Sequence, residues 1–476
     1  MFPMRIAVVL SLFAMPCVVA RAAAGANDSG NHRPPNIVLI VADDQGYGEM
    51  HCQGGDLPTP NLDRLAASGV RFTSGYVSAP FCSPSRAGFL TGRYQQRFGH
   101  EINPVEKMND RPDIGLPLSQ KTIADYLRSA GYVTGMFGKW HLGTADVFHP
   151  LNRGFDEFFG FLREGHYYLP APFDHAPDHV ISHLRAREPE YNRLNPILRG
   201  HSEVDEEEYL TKAFAREAME FIDRHKEHPF FLYLPFNAPH SPMQSTPQDY
   251  ARFPNIADEH RRVWAGMIAS LDDNIGRILN KLSEDGLAQD TLIFFLSDNG
   301  GPTEELTSRN DPLSGGKGSL LEGGIRIPFL ACWPGQFPAG QVYTRPIISL
   351  DILPTALAAA RAPLPQDVKL DGVNLLPFLT KDRSGDPHES LYWRLQKQLA
   401  IRQGDWKLVR ANGSKTFRLF NLADDIGEKN DLAEKDPQRA KKLTDDLMRW
   451  NGELVPPLWV YPNPTTAKAA MRADAE

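Results

Sequence analysis

The chain has few cysteines for its length. It has four among 476 residues, and only Cys52, Cys82 and Cys332 lie beyond the N-terminal segment. Three thiols cannot form the disulfide framework of a small secreted domain, so an ordinary hydrophobic core must hold the fold. A bond between Cys52 and Cys332 stays open at this point, and buried free thiols are the alternative.

Long hydrophobic runs are also missing. The apolar run at residues 6–14 follows a basic start at Arg5 and precedes small residues around position 20. It is too short to span a bilayer and is typical of a secretory signal, which we expect over residues 1–24. No later segment is long and apolar enough to cross a membrane. We therefore expect an exported protein, periplasmic or secreted, without a membrane span.

A strong excess of positive charge is absent too. The formal net charge is -8, with 41% hydrophobic and 23% charged residues. This composition is ordinary for a globular protein and argues against nucleic acid as a partner. An anionic substrate must therefore meet a local basic pocket.

Apolar strands alternate with amphipathic helices along most of the chain. IVLIVA at residues 37–42 and TLIFFLS at residues 291–297 are buried-strand patterns, and EYLTKAFAREAMEFIDRH at residues 208–225 is a helical one. This alternation predicts an α/β fold with helices on both faces of a sheet. The strands become shorter and more polar towards the C-terminus. We therefore predict a main domain at 33–384 and a smaller α+β subdomain, a small antiparallel sheet and a helix, at 385–476.

Polar residues follow several of these predicted strands. They are Asp43, Asp44, Lys139, His141, Asn237, His240, Asp298 and Asn299. The carboxyl ends of strands meet at one edge of an open α/β sheet, so these separated segments can converge. Carboxylate and amide oxygens suit a hard divalent cation, although each dipeptide alone can be a turn or a helix cap.

Two further features suggest chemistry. Lys317 lies in GGKGSLLEGGIRIP, where glycines let the backbone and the ammonium group approach an anion, unless this is a flexible surface loop. The segment lacks the earlier glycine of a nucleotide-binding loop. Cys82 as a thiol nucleophile needs a histidine and a lowered pKa, and a site of hard oxygen ligands does not favour a thiolate. The residues alone thus predict a metal-assisted anion hydrolase with an unexplained cysteine.

Two segments make the chain recognisable. CSPSRAGFLTGR at residues 82–93 matches the C-x-P-S-R-x-x-x-L-T-G-R signature of the type I sulfatases, and GYVTGMFGKWH at residues 131–141 resembles their second signature. The DD, NAPH, SDNGG and K-x-x-x-x-E-G-G segments follow in family order. The chain thus resembles the formylglycine-dependent sulfatases of the alkaline phosphatase superfamily from about residue 35 onward. The resemblance implies a large mixed sheet between helices and a small C-terminal domain.

The same resemblance gives Cys82 a role. In that family a maturation enzyme oxidises this cysteine to formylglycine, and one hydroxyl of the hydrated aldehyde attacks sulfur. The second hydroxyl then allows sulfate to leave. The implied ligands of a Ca²⁺ ion, or alternatively Mg²⁺, are Asp43, Asp44, the modified Cys82, Asp298 and Asn299. The implied catalytic residues are Lys139 and Lys317 on the sulfate oxygens, Arg86 on the diol, His141 as the base and His240 as the acid.

The implied substrate is a sulfated carbohydrate. Arg163 and His166 in GFLREGHYYLP, residues 160–170, suit a sulfated sugar, as do the two tyrosines beside them, and a surface loop is the alternative. Two other functions stay open. One is a phosphonate or phosphate monoester hydrolase of the same fold, and the other is a noncatalytic binder of sulfated glycans in which Cys82 is unmodified.

Overall fold

The computed structural model describes residues 33–170, 180–182, 194–411 and 413–461. The described residues from Pro34 onward form one compact unit. The expected signal segment, residues 1–24, lies outside the described residues. Within the described part, no helix has the length and apolar character needed to cross a membrane.

One large mixed sheet organises the molecule. Ten of the described strands build it in the order β13-β2-β12-β11-β1-β9-β4-β5-β7-β8. Their bounds are β1 Asn36–Ala42, β2 Val70–Phe72, β4 Val133–Lys139, β5 Glu157–Phe161, β7 Leu198–Arg199, β8 Ser202–Glu203, β9 Phe230–Pro235, β11 Thr291–Ser297, β12 Phe329–Cys332 and β13 Gln341–Tyr343. Two-stranded pairs join β3 Gly75–Tyr76 to β14 Ile347–Ile348 and β6 Ile181–Ser182 to β10 Met243–Gln244.

The middle of the sheet is parallel. Strands β11, β1, β9, β4 and β5 run in the same direction, and β12 and β7 pair antiparallel at the two sides. The carboxyl ends of the parallel strands therefore lie along one edge, as the sequence predicts for the residues that follow them.

Helices cover both faces. The described helices are α1 Pro60–Ser68, α2 Cys82–Thr91, α3 Ile123–Ser129, α4 Leu210–His225, α5 Pro247–Ala251, α6 Glu259–Glu284, α7 Thr303–Leu306, α8 Glu322–Ile325, α9 Ile352–Ala359, α10 Leu376–Leu379 and α11 Pro437–Asn451. Alternate side chains of β1 enter two separate cores, Val38 with α1, α4 and α6 and Leu39 with α2, α3 and α9. The fold-class prediction is confirmed.

A second sheet follows the first towards the C-terminus. It is antiparallel, in the order β15 Leu391–Leu395, β16 Gln398–Gln403, β17 Trp406–Arg410 and β18 Arg418–Asn421. It shares a core with α11, and Phe81, next to α2, belongs to that core. The boundary between residues 384 and 385 stays a prediction. Cys52, Cys82 and Cys332 are free thiols, so the open question of a disulfide is answered against a bond.

Candidate active site

Two neighbouring parallel strands bring three carboxylates together. The register pairs Ala42 of β1 with Ser297 of β11, so the residues after each strand lie side by side. The backbone N–H of Asp298 donates to the Ala42 carbonyl at 3.0 Å, and that of Asp44 donates to Oδ1 of Asp298 at 3.3 Å. The side chains of Asp43, Asp44 and Asp298 are thereby placed at one point of the sheet edge, all buried.

The first residue of helix α2 lies next to these three carboxylates. Cys82 begins the helix, and its Sγ lies 3.4 Å from Oδ1 of Asp43. Arg86 lies one turn later on the same face. Its Nε and Nη2 donate to Oδ2 of Asp298 at 3.0 and 2.7 Å, and Nη1 donates to the Lys139 carbonyl at 2.9 Å. The helix thus fixes the thiol and the guanidinium group together.

Two lysines from distant segments complete the charge pattern. Lys139 ends β4, and its Nζ lies 2.5 Å from Oδ2 of Asp43. Lys317 reaches in from the glycine-rich loop, with Nζ 2.8 Å from Oδ1 of Asp44. Both ammonium groups are buried. The loop of Lys317 is therefore part of the site and is no free surface loop.

The donor set fits a hard cation. Asp43, Asp44, Cys82 and His240 offer ligand atoms within 4.8 Å of one another. Asn299 donates through Nδ2 to Oδ1 of Asp44 at 2.7 Å, while its own buried Oδ1 has no hydrogen-bond partner among the described residues. Carboxylate oxygens and an unsatisfied amide oxygen in one buried place are what Ca²⁺ or Mg²⁺ binds.

The electrostatics point to the same conclusion. Burial by itself would raise the pKa of Asp43, but the charge of Lys139 and of the other nearby cations holds that pKa below its usual range. At Asp298, burial and the negative charge of Asp43 raise the pKa to about 7. A divalent cation would let Asp298 ionise beside Asp43, which is already ionised. It would also make the site net positive, because the three carboxylates already face three cations, Arg86, Lys139 and Lys317.

The thiol of Cys82 is poorly suited to attack a substrate. Burial, and then the negative charge of Asp43, raise its pKa well above the usual value. Since the thiolate is the nucleophilic form, this environment suppresses thiol chemistry. A role as a cysteine nucleophile therefore does not explain why Cys82 lies at the cluster.

The two ring nitrogens of His141 differ in their contacts within the described part of the chain. It follows β4 with φ 58°, and Nε2 lies 3.1 Å from the Pro104 carbonyl. That contact assigns the proton to Nε2. Burial, and then the charge of Lys139, lower the pKa of His141 well below its usual value, so the ring is neutral. Its Nδ1 has no hydrogen-bond partner among the described residues and carries the lone pair.

A buried chain of polar groups fixes His141, and the sequence interpretation did not include it. The Ser83 hydroxyl donates to the His141 carbonyl at 2.6 Å and lies 2.6 Å from Nε2 of His100. The Ser83 N–H donates to Oδ1 of Asn103 at 2.9 Å. Ser83 occupies the variable position of the first signature, and His100 and Asn103 follow it without a motif. The only available signal was their closeness in sequence to Cys82.

His240 approaches from the turn after β9. Its Nε2 lies 3.5 Å from Oδ2 of Asp44, and Nδ1 lies 2.7 Å from the Ser241 carbonyl. Burial is the main cause that lowers the pKa of His240 to about 4. The Tyr168 hydroxyl supports this turn, at 2.6 Å from the Asn237 carbonyl and 2.8 Å from that of His240. Tyr168 is fully buried, so it holds the turn and presents no surface to a sugar.

Comparison with known proteins decides the family. The model of the Sulfatase family matches residues 35–362, and a model described as N-sulphoglucosamine sulphohydrolase, C-terminal, matches residues 316–451. The chain belongs to the sulfatase family. It is a sulfuric ester hydrolase, as the two signatures predict.

Named relatives agree with this assignment. The sulfatase is 37% identical over 397 residues to human N-acetylgalactosamine-6-sulfatase, covering 80% of this chain and 73% of the relative. It is 36% identical over 398 residues to human arylsulfatase A, covering 79% of this chain and 74% of that protein. The crystal structure of Ps i-CgsB has 37% identity and a TM-score of 0.84, covering 93% of this chain and 98% of that chain. That protein has also been solved in complex with k-i-k-neocarrahexaose.

The two residues predicted to contact sugar lie in the segment that follows β5. Arg163 forms an ion pair with Asp110, and its side chain is 15% exposed. His166 is buried with Nδ1 2.8 Å from the Tyr167 carbonyl. Its own carbonyl accepts from Nδ2 of Asn237 at 3.4 Å, so His166 borders the turn of His240. Contact of either residue with substrate stays a prediction.

Proposed function

We propose that this sulfatase removes O-sulfate from a sulfated carbohydrate, with a formylglycine made from Cys82 and one divalent cation. The observation that carries the proposal is Cys82 itself, buried at the meeting point of the three carboxylates with a thiol pKa far above its usual value. The carbohydrate class is supported by N-acetylgalactosamine-6-sulfatase and by the neocarrahexaose complex of Ps i-CgsB. An exported location, as expected from residues 1–24, suits oxidation by a maturation enzyme during export.

The cation would be held by the oxygen ligands already described. They are Asp43, Asp44, Asp298, Asn299 and the modified residue 82. Ca²⁺ is the proposed ion and Mg²⁺ the alternative. When bound, the cation supplies positive charge that activates the nucleophile and withdraws charge from the sulfate oxygens.

The modified residue supplies two hydroxyl groups, one to attack sulfur and one to let the sulfate leave. Arg86 sits one helical turn from residue 82 and orients it. His141 has the neutral ring and the lone pair on Nδ1 that a base requires. We assign to it the removal of the proton from the second hydroxyl group.

The two buried ammonium groups would hold the sulfate. Lys139 and Lys317 now pair with Asp43 and Asp44, and a bound cation would take over those carboxylates. The ammonium groups then become available to the sulfate oxygens. Opposite charge fixed in a buried site is usually the largest single contribution to catalysis.

His240 would protonate the leaving sugar oxygen. Its pKa of about 4 keeps the free ring neutral, so the proton must be stabilised by the substrate. The negative charge of a sulfate ester beside the imidazolium provides that stabilisation. The proton then sits on Nε2, because Nδ1 faces the Ser241 carbonyl.

Replacing His240 should therefore discriminate between leaving groups. His240→Asn keeps a donor to the Ser241 carbonyl and removes Nε2. We expect kcat/KM on a sugar sulfate to fall about 10²- to 10⁴-fold, because an alkoxide leaves poorly without a proton. Hydrolysis of 4-nitrophenyl sulfate should fall far less, since its phenolate leaves unaided. Equal losses on both substrates would assign His240 to binding.

Arg163 and His166 are expected to affect sugar recognition alone. The double substitution Arg163→Ala with His166→Ala should raise KM or change preference on sulfated oligosaccharides by about tenfold, the usual effect of losing one charge-assisted contact. Hydrolysis of 4-nitrophenyl sulfate should be unchanged. Arg111→Ala, which removes an exposed ion pair with Asp113, is the matched control. Unchanged glycan kinetics in the double variant would assign the segment to structure.

A substrate screen tests the proposed function as a whole. The converted enzyme is assayed on defined sulfated mono- and oligosaccharides, on 4-nitrophenyl sulfate and on 4-nitrophenyl phosphate. We expect turnover of at least one sulfated saccharide and a kcat/KM on aryl sulfate well above that on aryl phosphate. A preference for the phosphate, or no turnover of any sulfated sugar, would contradict the proposal.

A further inference from the structure

One side chain of the C-terminal sheet forms two hydrogen bonds to the loop that carries Lys317, close to that lysine. Gln398, the first residue of β16, donates through Nε2 to the Gly318 carbonyl at 2.8 Å. Its Oε1 accepts from the Leu320 N–H at 3.1 Å. The side-chain amide thus pairs with two backbone groups of the loop, as a neighbouring strand would. The first of them belongs to Gly318, the residue directly after Lys317. Gln398 is buried, so water does not replace these bonds.

The loop has hydrogen bonds between its own groups, but its backbone beside Lys317 is rich in glycine. Gly318 has φ +81°, and a Cβ at Gly316 would lie 2.5 Å from the Gly301 carbonyl oxygen. Glycine is required at such positions, and it also leaves the chain with the largest conformational freedom. The Lys317 N–H contacts the Gly301 carbonyl only at 3.4 Å. The position of the Lys317 ammonium group therefore depends in part on contacts from outside the loop, including the bond from the Gly318 N–H to the Pro80 carbonyl at 3.0 Å.

The far end of the loop is anchored separately. The Glu322 N–H donates to Oε2 of Glu428 at 2.6 Å. The Lys407 ammonium group lies 2.8 Å from Oε1 of Glu322 and 2.9 Å from Oε1 of Glu428, with all three side chains buried. These contacts do not involve Gln398. The loop should therefore stay attached to the C-terminal sheet when Gln398 is changed.

We infer that Gln398 is a positioning residue for Lys317, so that the C-terminal sheet determines how tightly the active site binds the sulfate group. The inference rests on the proposed role of Lys317. Gln398 touches neither substrate nor reacting atoms. It limits the loop to the conformation in which the Lys317 ammonium group reaches the sulfate, and a displacement of about 1 Å in such a group costs up to 10²-fold in rate.

A double-mutant cycle tests this coupling. Gln398→Met, Lys317→Met and the double variant are compared by kcat/KM on 4-nitrophenyl sulfate and by the inhibition constant of inorganic sulfate. We expect Gln398→Met to lower kcat/KM and weaken sulfate inhibition about tenfold. In the Lys317→Met background the same change should have less than about a twofold effect, because no ammonium group is left to position.

Two further variants separate positioning from general stability. Gln403→Met changes the last residue of the same strand, whose Nε2 lies 3.1 Å from Oγ of Ser390, and should leave both constants unchanged. Gln398→Glu keeps the acceptor for Leu320 but loses the donor to Gly318, and it should give an intermediate loss. If Gln398→Met does not fold, Gln398→Glu replaces it in the double-mutant cycle.

Three results would overturn the inference, and the third differs from the first two in what it rejects. If Gln398→Met and Lys317→Met act additively, or Gln398→Met has no effect while Lys317→Met is impaired, Gln398 does not position the lysine. If Lys317→Met itself binds sulfate as the unaltered enzyme does, the proposed role of Lys317 fails and the inference fails with it.

Discussion

Cys82→Ser is expected to lower kcat/KM on every sulfate ester by at least about 10⁴-fold, the scale seen when a catalytic nucleophile is lost. Serine offers one hydroxyl where hydrated formylglycine offers two. It can accept a sulfate group but cannot expel it, so at most one turnover follows. The melting temperature should change little, because serine is nearly isosteric with cysteine and can keep the contact of the thiol with Asp43, which is a long 3.4 Å.

The measurement is steady-state kinetics with mass spectrometry of the variant after incubation with 4-nitrophenyl sulfate. The variant is made in a host that does not oxidise serine. We expect no repeated turnover. If the introduced serine reacts at all, its peptide should carry a sulfate group that stays attached. Cys332→Ser, a buried free thiol on β12 away from the carboxylates, is the control and should stay active. Repeated turnover by Cys82→Ser would reject the need for a second hydroxyl group.

Asp298→Asn should remove both the cation and the activity. The change keeps the size of the side chain and removes one of the three charges that face the proposed ion. We expect the bound divalent cation, measured by elemental analysis, to fall from about one per chain to near zero. The fall in kcat/KM should be at least about a thousandfold, since a fixed electrostatic contribution to the transition state is lost.

A control is needed because Asp298 also pairs with the buried Arg86. Loss of that ion pair lowers the stability of the fold as well. The control is Asp272→Asn in α6. It removes the charge of another buried carboxylate, which accepts hydrogen bonds from the N–H groups of Asn61 and Leu62. It should lower the melting temperature and keep the cation and the activity. Near-normal activity of Asp298→Asn in a chelator would contradict the metal site.

The sequence predicted the large sheet and the convergence of the strand ends because both follow from local patterns. Apolar runs identify buried strands, and the residues after parallel strands meet at one edge whatever the loops do. Asp43, Asp298, Lys139 and His240 were therefore found without a structure. The first signature added Cys82 and Arg86 at a spacing that a single helix places on one face.

The contacts that adjust these groups could not be read from the sequence. The hydrogen bond from Ser83 to the His141 carbonyl joins residues 58 positions apart, and the one from Gln398 to the Gly318 carbonyl joins residues 80 positions apart. Neither side chain belongs to a periodic pattern, and their partners are backbone atoms that any residue provides. Tyr168 looked like a sugar contact in a tyrosine-rich segment, but packing placed its hydroxyl under the turn of His240. Such contacts are set by tertiary packing alone.

The state of residue 82 is the most direct test of the account. The tryptic peptide 72–86 is analysed by mass spectrometry from protein made with and without the maturation enzyme. With the enzyme, the peptide is expected to lose about 18 Da, the change from thiol to aldehyde, or to appear as the hydrate. Sulfatase activity should rise in proportion to the converted fraction and be absent from unconverted protein. Full activity in protein whose Cys82 is entirely unmodified would contradict the formylglycine mechanism.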